Sequence, residues 1–119
     1  FNGAFSREGG AQAVDHFLNL KQKPTAILAL NNAMALGVLL ELSKRGYRVP
    51  EDMTVASYGE IEASELLQNL CITSIKQHPY EMGQRIGELI LDCLLKKDVN
   101  PRHEVIQSIL QLPSTSRKS

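Results

Sequence analysis

Apolar positions in this chain change their period along its length, and each change marks an element. Ala11, Val14, Phe17 and Leu18 recur at helical spacing and predict a helix over about Arg7–Leu20. Ser6 stands where an N-cap belongs, and Glu8 lies in the first turn, where the helix dipole favours negative charge. Lys21, Lys23 and Pro24 close the segment. Thr25-Ala26-Ile27-Leu28-Ala29-Leu30 is a continuous apolar run of strand length, which suits a strand buried on both faces of a parallel sheet. Asn31-Asn32 ends that run and can cap a helix over about Ala33–Arg45. The helix has a basic last turn, Lys44 and Arg45, and Gly46 offers the left-handed position that stops it.

The same reading continues through the second half. Tyr47–Asp52 is a turn, Met53–Tyr58 a strand, Ile61–Gln68 a short helix and Cys71–Lys76 a third strand. Pro79 opens a long helix, a position that proline favours. Its apolar face runs through Met82, Ile86, Leu89, Ile90, Cys93 and Leu94. Gly83 and Gly87, four apart, allow a close backbone approach on another side. Lys96 and Lys97 end the helix before Asn100-Pro101, and Glu104–Leu112 reads as a last strand. Helix and strand alternate throughout, which predicts an α/β fold: a mainly parallel sheet flanked by helices on both faces. The alternation does not set the strand order.

In open parallel sheets ligands gather beyond the carboxyl ends of the strands. Asn31 follows the first strand, Tyr58-Gly59-Glu60 the second and Gln77 the third, so periodicity alone brings polar groups to one edge. Each has a second use. Asn31 can cap a helix, and capping and binding are compatible. Tyr58 can be half-buried packing, Gln77 can bond a loop, and Phe5, just ahead of the first helix, can be a hydrophobic staple.

Composition narrows the function. The chain has 119 residues, of which 43% are hydrophobic. That is one domain or one lobe, expected over residues 1–113 with a frayed polar tail at 114–119. It starts at Phe1 rather than Met and reads as a fragment. Thirteen basic residues balance thirteen acidic ones, so the basic excess of a DNA-binding module is missing and any DNA contact is expected elsewhere. No apolar stretch approaches the roughly 20 residues that span a bilayer, and no signal peptide is visible, so the chain is expected in the cytoplasm, away from membranes.

Little in the sequence suggests catalysis. Cys71 and Cys93 lie in apolar surroundings and are expected to be buried, reduced thiols. No CxxC pair indicates zinc or redox chemistry. Neither a GxGxxG nor a Walker loop is present, nor a GxSxG elbow. His16, His78 and His103 are scattered, without an evident nucleophile or orienting partner. Neither a catalytic residue, a metal site nor a cofactor is expected.

Several motifs in order carry a resemblance. Pro24-Thr25-Ala26-Ile27-Leu28-Ala29-Leu30-Asn31-Asn32-Ala33-Met34-Ala35-Leu36-Gly37 is similar to the PTAIxxxNDxMAxG pattern of the LacI/GalR family. Gly46-Tyr47-Arg48-Val49-Pro50-Glu51-Asp52 resembles its GxxVPxD turn, and Val55–Glu60 stands where it carries VxGYDD or VxGFDD. Ile72-Thr73-Ser74-Ile75-Lys76-Gln77 resembles LTTIxQ, Tyr80–Gly83 and the helix after it resemble xxxGxxAxxLL, and Gly3–Gly10 resembles GDFxxxSG. Each piece is weak alone; their order and spacing over nearly the whole chain are specific.

The resemblance implies one lobe, the C-terminal one, of a type I periplasmic-binding-protein-like effector domain in a transcription regulator. It implies a small-molecule effector, a carbohydrate or related metabolite, bound between lobes, a homodimer, and DNA contact only through a headpiece outside this chain. It also assigns roles: Phe5 stacks on the ligand ring, Asn31 hydrogen-bonds the ligand, and Gln77 lies near the pocket floor. Two positions depart from the pattern. Gly59 replaces the first acid of YDD, and Asn32 replaces the acid of ND. A charge-assisted hydrogen bond is worth roughly 1.5–3 kcal/mol, so either Glu60 supplies the carboxylate or the ligand lacks the matching diol.

The helix after Asn31 is apolar on two sides. Ala35, Val38, Leu39 and Leu42 form one stripe, and Leu36 and Leu40 extend the surface to another, as in a helix buried twice. One side fits the sheet. The other fits a second subunit, the other lobe or the helix's own lobe; the family's dimers favour the subunit. An exported sugar-binding protein of a transport system is the alternative, marked by a signal peptide in the complete chain.

Overall fold

The computed structural model describes residues 1–61, 72–96 and 100–112. These fall into two compact units, Phe1–Lys76 with Leu110–Ser119, and Gln77–Ile109. The expected Ile61–Gln68 helix, Cys71 and the 114–119 tail lie almost wholly outside the described residues.

The first unit opens with α1, Arg7–Leu18. Its start follows from Ser6, which has extended backbone and whose Oγ accepts the Gly9 N–H at 2.9 Å. Strand β1 is Ala26–Ala29, and α2 is Asn32–Lys44, capped by Asn31, whose Oδ1 accepts the Met34 N–H at 2.8 Å. Arg45 closes α2, and Gly46 follows at φ +77°. Strands β2 (Thr54–Tyr58) and β3 (Thr73–Lys76) come next, with β4 reduced to Ile109–Gln111 of the expected Glu104–Leu112. The sheet runs in the order β1-β2-β3-β4. β1 pairs parallel with β2 and β2 with β3, in the registers Ala29↔Ser57 and Tyr58↔Ile75.

The core lies between this sheet and α1 and α2. Val14, Ile27, Val38, Leu39, Leu42, Val49, Met53 and Val55 form one buried cluster. Each fully buried side chain of this size is worth about 1.5–3 kcal/mol relative to exposure. The stripe Ala35, Val38, Leu39 and Leu42 is the buried one, whereas Leu36 is half-buried and Leu40 exposed.

One expectation fails here. β1 is not buried on both faces: Ile27 and Ala29 are buried, but Ala26 and Leu28 are exposed. The physical reason is that α1 and α2 form a single layer over the face to which Ile27 and Ala29 point. A close approach of backbones is made within the first unit. A Cβ at Gly83 or Gly87 would meet open space, whereas one at Gly10 would run into the Met34 carbonyl and one at Gly37 into the Arg7 carbonyl. The missing side chains of Gly10 and Gly37 let α1 and α2 cross at backbone contact.

The second unit holds α3, Pro79–Lys96, with proline at its first position. Its apolar stripe is accessible: Met82, Ile86, Ile90 and Leu94 are exposed, and Leu89 is half-buried. Cys93, on the same stripe, is half-buried rather than buried, a free thiol on the open side of the helix. Arg85 links α3 to the following loop through Glu104, with Nε–Oε2 at 2.6 Å, and also reaches Glu88.

Candidate functional site

Parallel pairing brings the carboxyl ends of β1, β2 and β3 to one edge, and the sequence places its polar turns there. Phe5, Asn31, Asn32 and Gly59 converge on it. Asn31 Nδ2 donates to the Phe5 carbonyl at 3.1 Å, joining the loop before α1 to the β1–α2 connection. A Cβ at Gly59 would lie 3.7 Å from the Asn32 nitrogen and 3.8 Å from its Cβ, so the β2 turn is next to the start of α2.

The turn after β2 is fixed from both sides. The Gly59 N–H donates to the Ile75 carbonyl at 3.1 Å. Ser57, buried at 1% exposure, donates its hydroxyl to the Gly59 carbonyl at 2.9 Å. Gly59 itself has φ +117°, a conformation that L side chains rarely adopt. Ser57 escaped the sequence reading because one serine in a buried strand shows no pattern. The hydroxyl-to-glycine arrangement becomes visible only once the turn is built.

Phe5 is 68% exposed, which is not the ring of a staple packed against its helix. Its backbone is left-handed, φ 52°, as is that of Ala4 at φ 47°. Residues with a Cβ pay roughly 1–2 kcal/mol each to adopt that region, so the loop is held by its contacts. Tyr58 is 43% exposed at the end of β2. Glu60 is exposed and forms an ion pair with Lys76, Nζ–Oε1 3.6 Å, so its carboxylate has a partner already on the edge. Gln77, next in the chain after β3, begins the second unit.

This edge is aromatic and amide-rich, with one paired carboxylate. It can stack a planar or ring-shaped molecule and hydrogen-bond its polar groups. Among the described residues no group of three His, Cys, Asp or Glu side chains could hold a metal ion. His16 packs its ring on Phe1 and Phe17, with centroids 5.3 and 5.5 Å away, well along α1 from the edge.

The profile of the Periplasmic binding protein-like domain matches residues 2–115. The chain belongs to that domain family, in the form carried by LacI-family regulators. The HTH-type transcriptional repressor PurR of Mannheimia succiniciproducens is 33% identical over 98 residues, 82% of this chain and 29% of that protein. A putative LacI regulator from Bacillus cereus subsp. cytotoxis superposes with TM-score 0.85 at 31% identity, over 92% of this chain and 38% of that one. A LacI family regulator from Enterococcus faecalis, solved with bound ribose, gives TM-score 0.80 at 26% identity over 92% and 40%. The chain therefore spans less than half the length of the proteins it matches. The fold and family expected from the motifs are those found, and these relatives are transcriptional regulators rather than enzymes. Among the described residues no helix is long and apolar enough to cross a membrane.

Proposed function

We propose that this chain is the ligand-sensing and dimerisation segment of a LacI-type transcriptional repressor that acts in the cytoplasm. Its effector is a small ring-shaped metabolite, a carbohydrate or a close relative of one, held at the carboxyl edge of β1, β2 and β3. Phe5 stacks on the ring. Asn31, Tyr58, Gly59, Glu60 and Gln77 complete this chain's share of the site. The observation that carries the reading is the two-thirds exposed Phe5 ring, displayed on a left-handed backbone beside Asn31. An apolar ring left in water is common on protein surfaces, but one fixed on an unfavourable backbone beside the strand ends points to a bound partner.

Effector binding would favour one arrangement of the complete regulator over another, and operator affinity would follow through a second copy of the chain and a headpiece outside it. Such coupling requires only that the effector bind the two arrangements with different affinity. Ribose, bound in the Enterococcus relative, is the first probe, followed by other pentoses, hexoses and nucleosides in thermal-shift titrations of the complete regulator. Removing a stacking ring commonly costs more than 1 kcal/mol. Phe5→Ala should therefore weaken the response to the effector so found by about fivefold or more. A dose-response curve identical to wild type would remove Phe5 from the site.

A further inference from the structure

The backbone carbonyl of Phe5 is held by a side chain 26 positions further along the chain. The other bonds of its loop are local. The Ala4 N–H donates to Asn2 Oδ1 at 3.0 Å, and both the N–H and the hydroxyl of Ser6 reach the Gly3 carbonyl, at 3.1 and 3.3 Å. These bonds shape the loop but move with it. The bond from Asn31 Nδ2, by contrast, ties the loop to the strand edge. The Asn31 amide is oriented for this by its other end: with Oδ1 accepting from Met34 N at 2.8 Å, Nδ2 is turned toward Phe5. One donor and one acceptor site of the amide are thus used within the protein, which fixes its orientation. Two successive left-handed residues, Ala4 and Phe5, stand at the point that this bond secures.

We infer that Asn31 is a positioning residue: by clamping the Phe5 carbonyl it holds the aromatic ring in place at the edge, and it contributes to recognition through Phe5. The consequence for recognition rests on the proposed function; the clamp does not.

The test uses the complete regulator with 4-fluorophenylalanine at position 5, studied without ligand. Asn31→Ser and Asn31→Asp both keep an oxygen able to cap α2, and both lack the amide donor. In each, the fluorine resonance should shift towards that of a freely moving ring or split. The Ser6 amide, bonded to Gly3, should exchange about fivefold faster, the effect of one lost hydrogen bond. The Ala35 amide, which donates to the Asn31 carbonyl at 3.1 Å in the first turn of α2, should not change. An unchanged fluorine spectrum and unchanged Ser6 exchange in both variants would overturn the clamp. So would faster exchange at Ala35 in step with Ser6, since Asn31 would then be acting only as a helix cap. A failed clamp appears in these ligand-free spectra, and a failed binding edge appears in the Phe5→Ala titration, so the two are told apart.

Discussion

Gly59 sits where the resemblance puts an acid, and its surroundings show what opposes one. Space is not the obstacle, because a Cβ would meet Asn32 only at ordinary contact distance. The obstacle is the backbone at φ +117°, pinned by the bond from its N–H to Ile75 and the bond from Ser57 to its carbonyl. Gly59→Asp should therefore lower unfolding stability by about 1–3 kcal/mol, the usual cost of a side chain in that region. Urea titration reads this directly, and an unchanged midpoint would mean that the turn relaxes without penalty. The edge has thus lost a carboxylate and gained a turn shaped for glycine. Sequence reasoning found the missing acid but not the reason, because φ at one glycine depends on the hydrogen bonds that the neighbouring strand supplies.

At the scale of elements, the turn joining α2 to β2 carries the clearest electrostatic signature. Arg48 forks onto Asp52, Nε to Oδ2 and Nη2 to Oδ1, both at 2.9 Å, and the Arg48 N–H also donates to Oδ2. The side-chain bonds from Arg48 first, and its backbone N–H second, hold the Asp52 carboxyl down from its usual 3.8 to about 2. A carboxyl depressed on folding stabilises the folded chain above its unfolded pKa, and that contribution disappears as the pH falls through the folded one. Asp52→Asn should thus melt below wild type at pH 6, with the gap closing between about pH 4 and 2. Thermal melts across that range decide it, since a gap constant with pH would assign the loss to packing. High salt should narrow the gap at pH 6, because the pair is largely open to solvent. Much of this scale was legible in the sequence. Ser6, Asn31 and Gly46 announced helix ends because capping is local chemistry. The close approach at Gly10 and Gly37 was not legible, because small residues permit such a contact without naming the helix that makes it. The Asn31–Phe5 bond left no local trace, since its partners are brought together only by the fold.

At the scale of the whole molecule, α1 and α2 leave a hollow on the side away from the core. Arg7, Glu8, Ala11, Leu40, Glu41 and Lys44 line it around the Gly37 crossing. Leu40 is 41% exposed at this hollow, a helical turn from half-buried Leu36. Charges of both signs surround an apolar centre, the layout of a surface that excludes water at its middle and stays polar at its rim. A symmetric pair of copies would set each patch against its twin, bringing Arg7 and Lys44 of one copy within reach of acidic side chains of the other. Leu40→Arg should then raise the dimer dissociation constant of the complete regulator by about tenfold or more. Stability of the single chain should change little, because Leu40 is not among the buried residues of the core. Sedimentation at graded concentrations separates the two effects. If Leu40→Arg behaves as wild type does, copies do not pair through this face and α2 is greasy on its outer side for another reason. If it dissociates and operator affinity falls with it, pairing of two copies through this face is what operator binding requires.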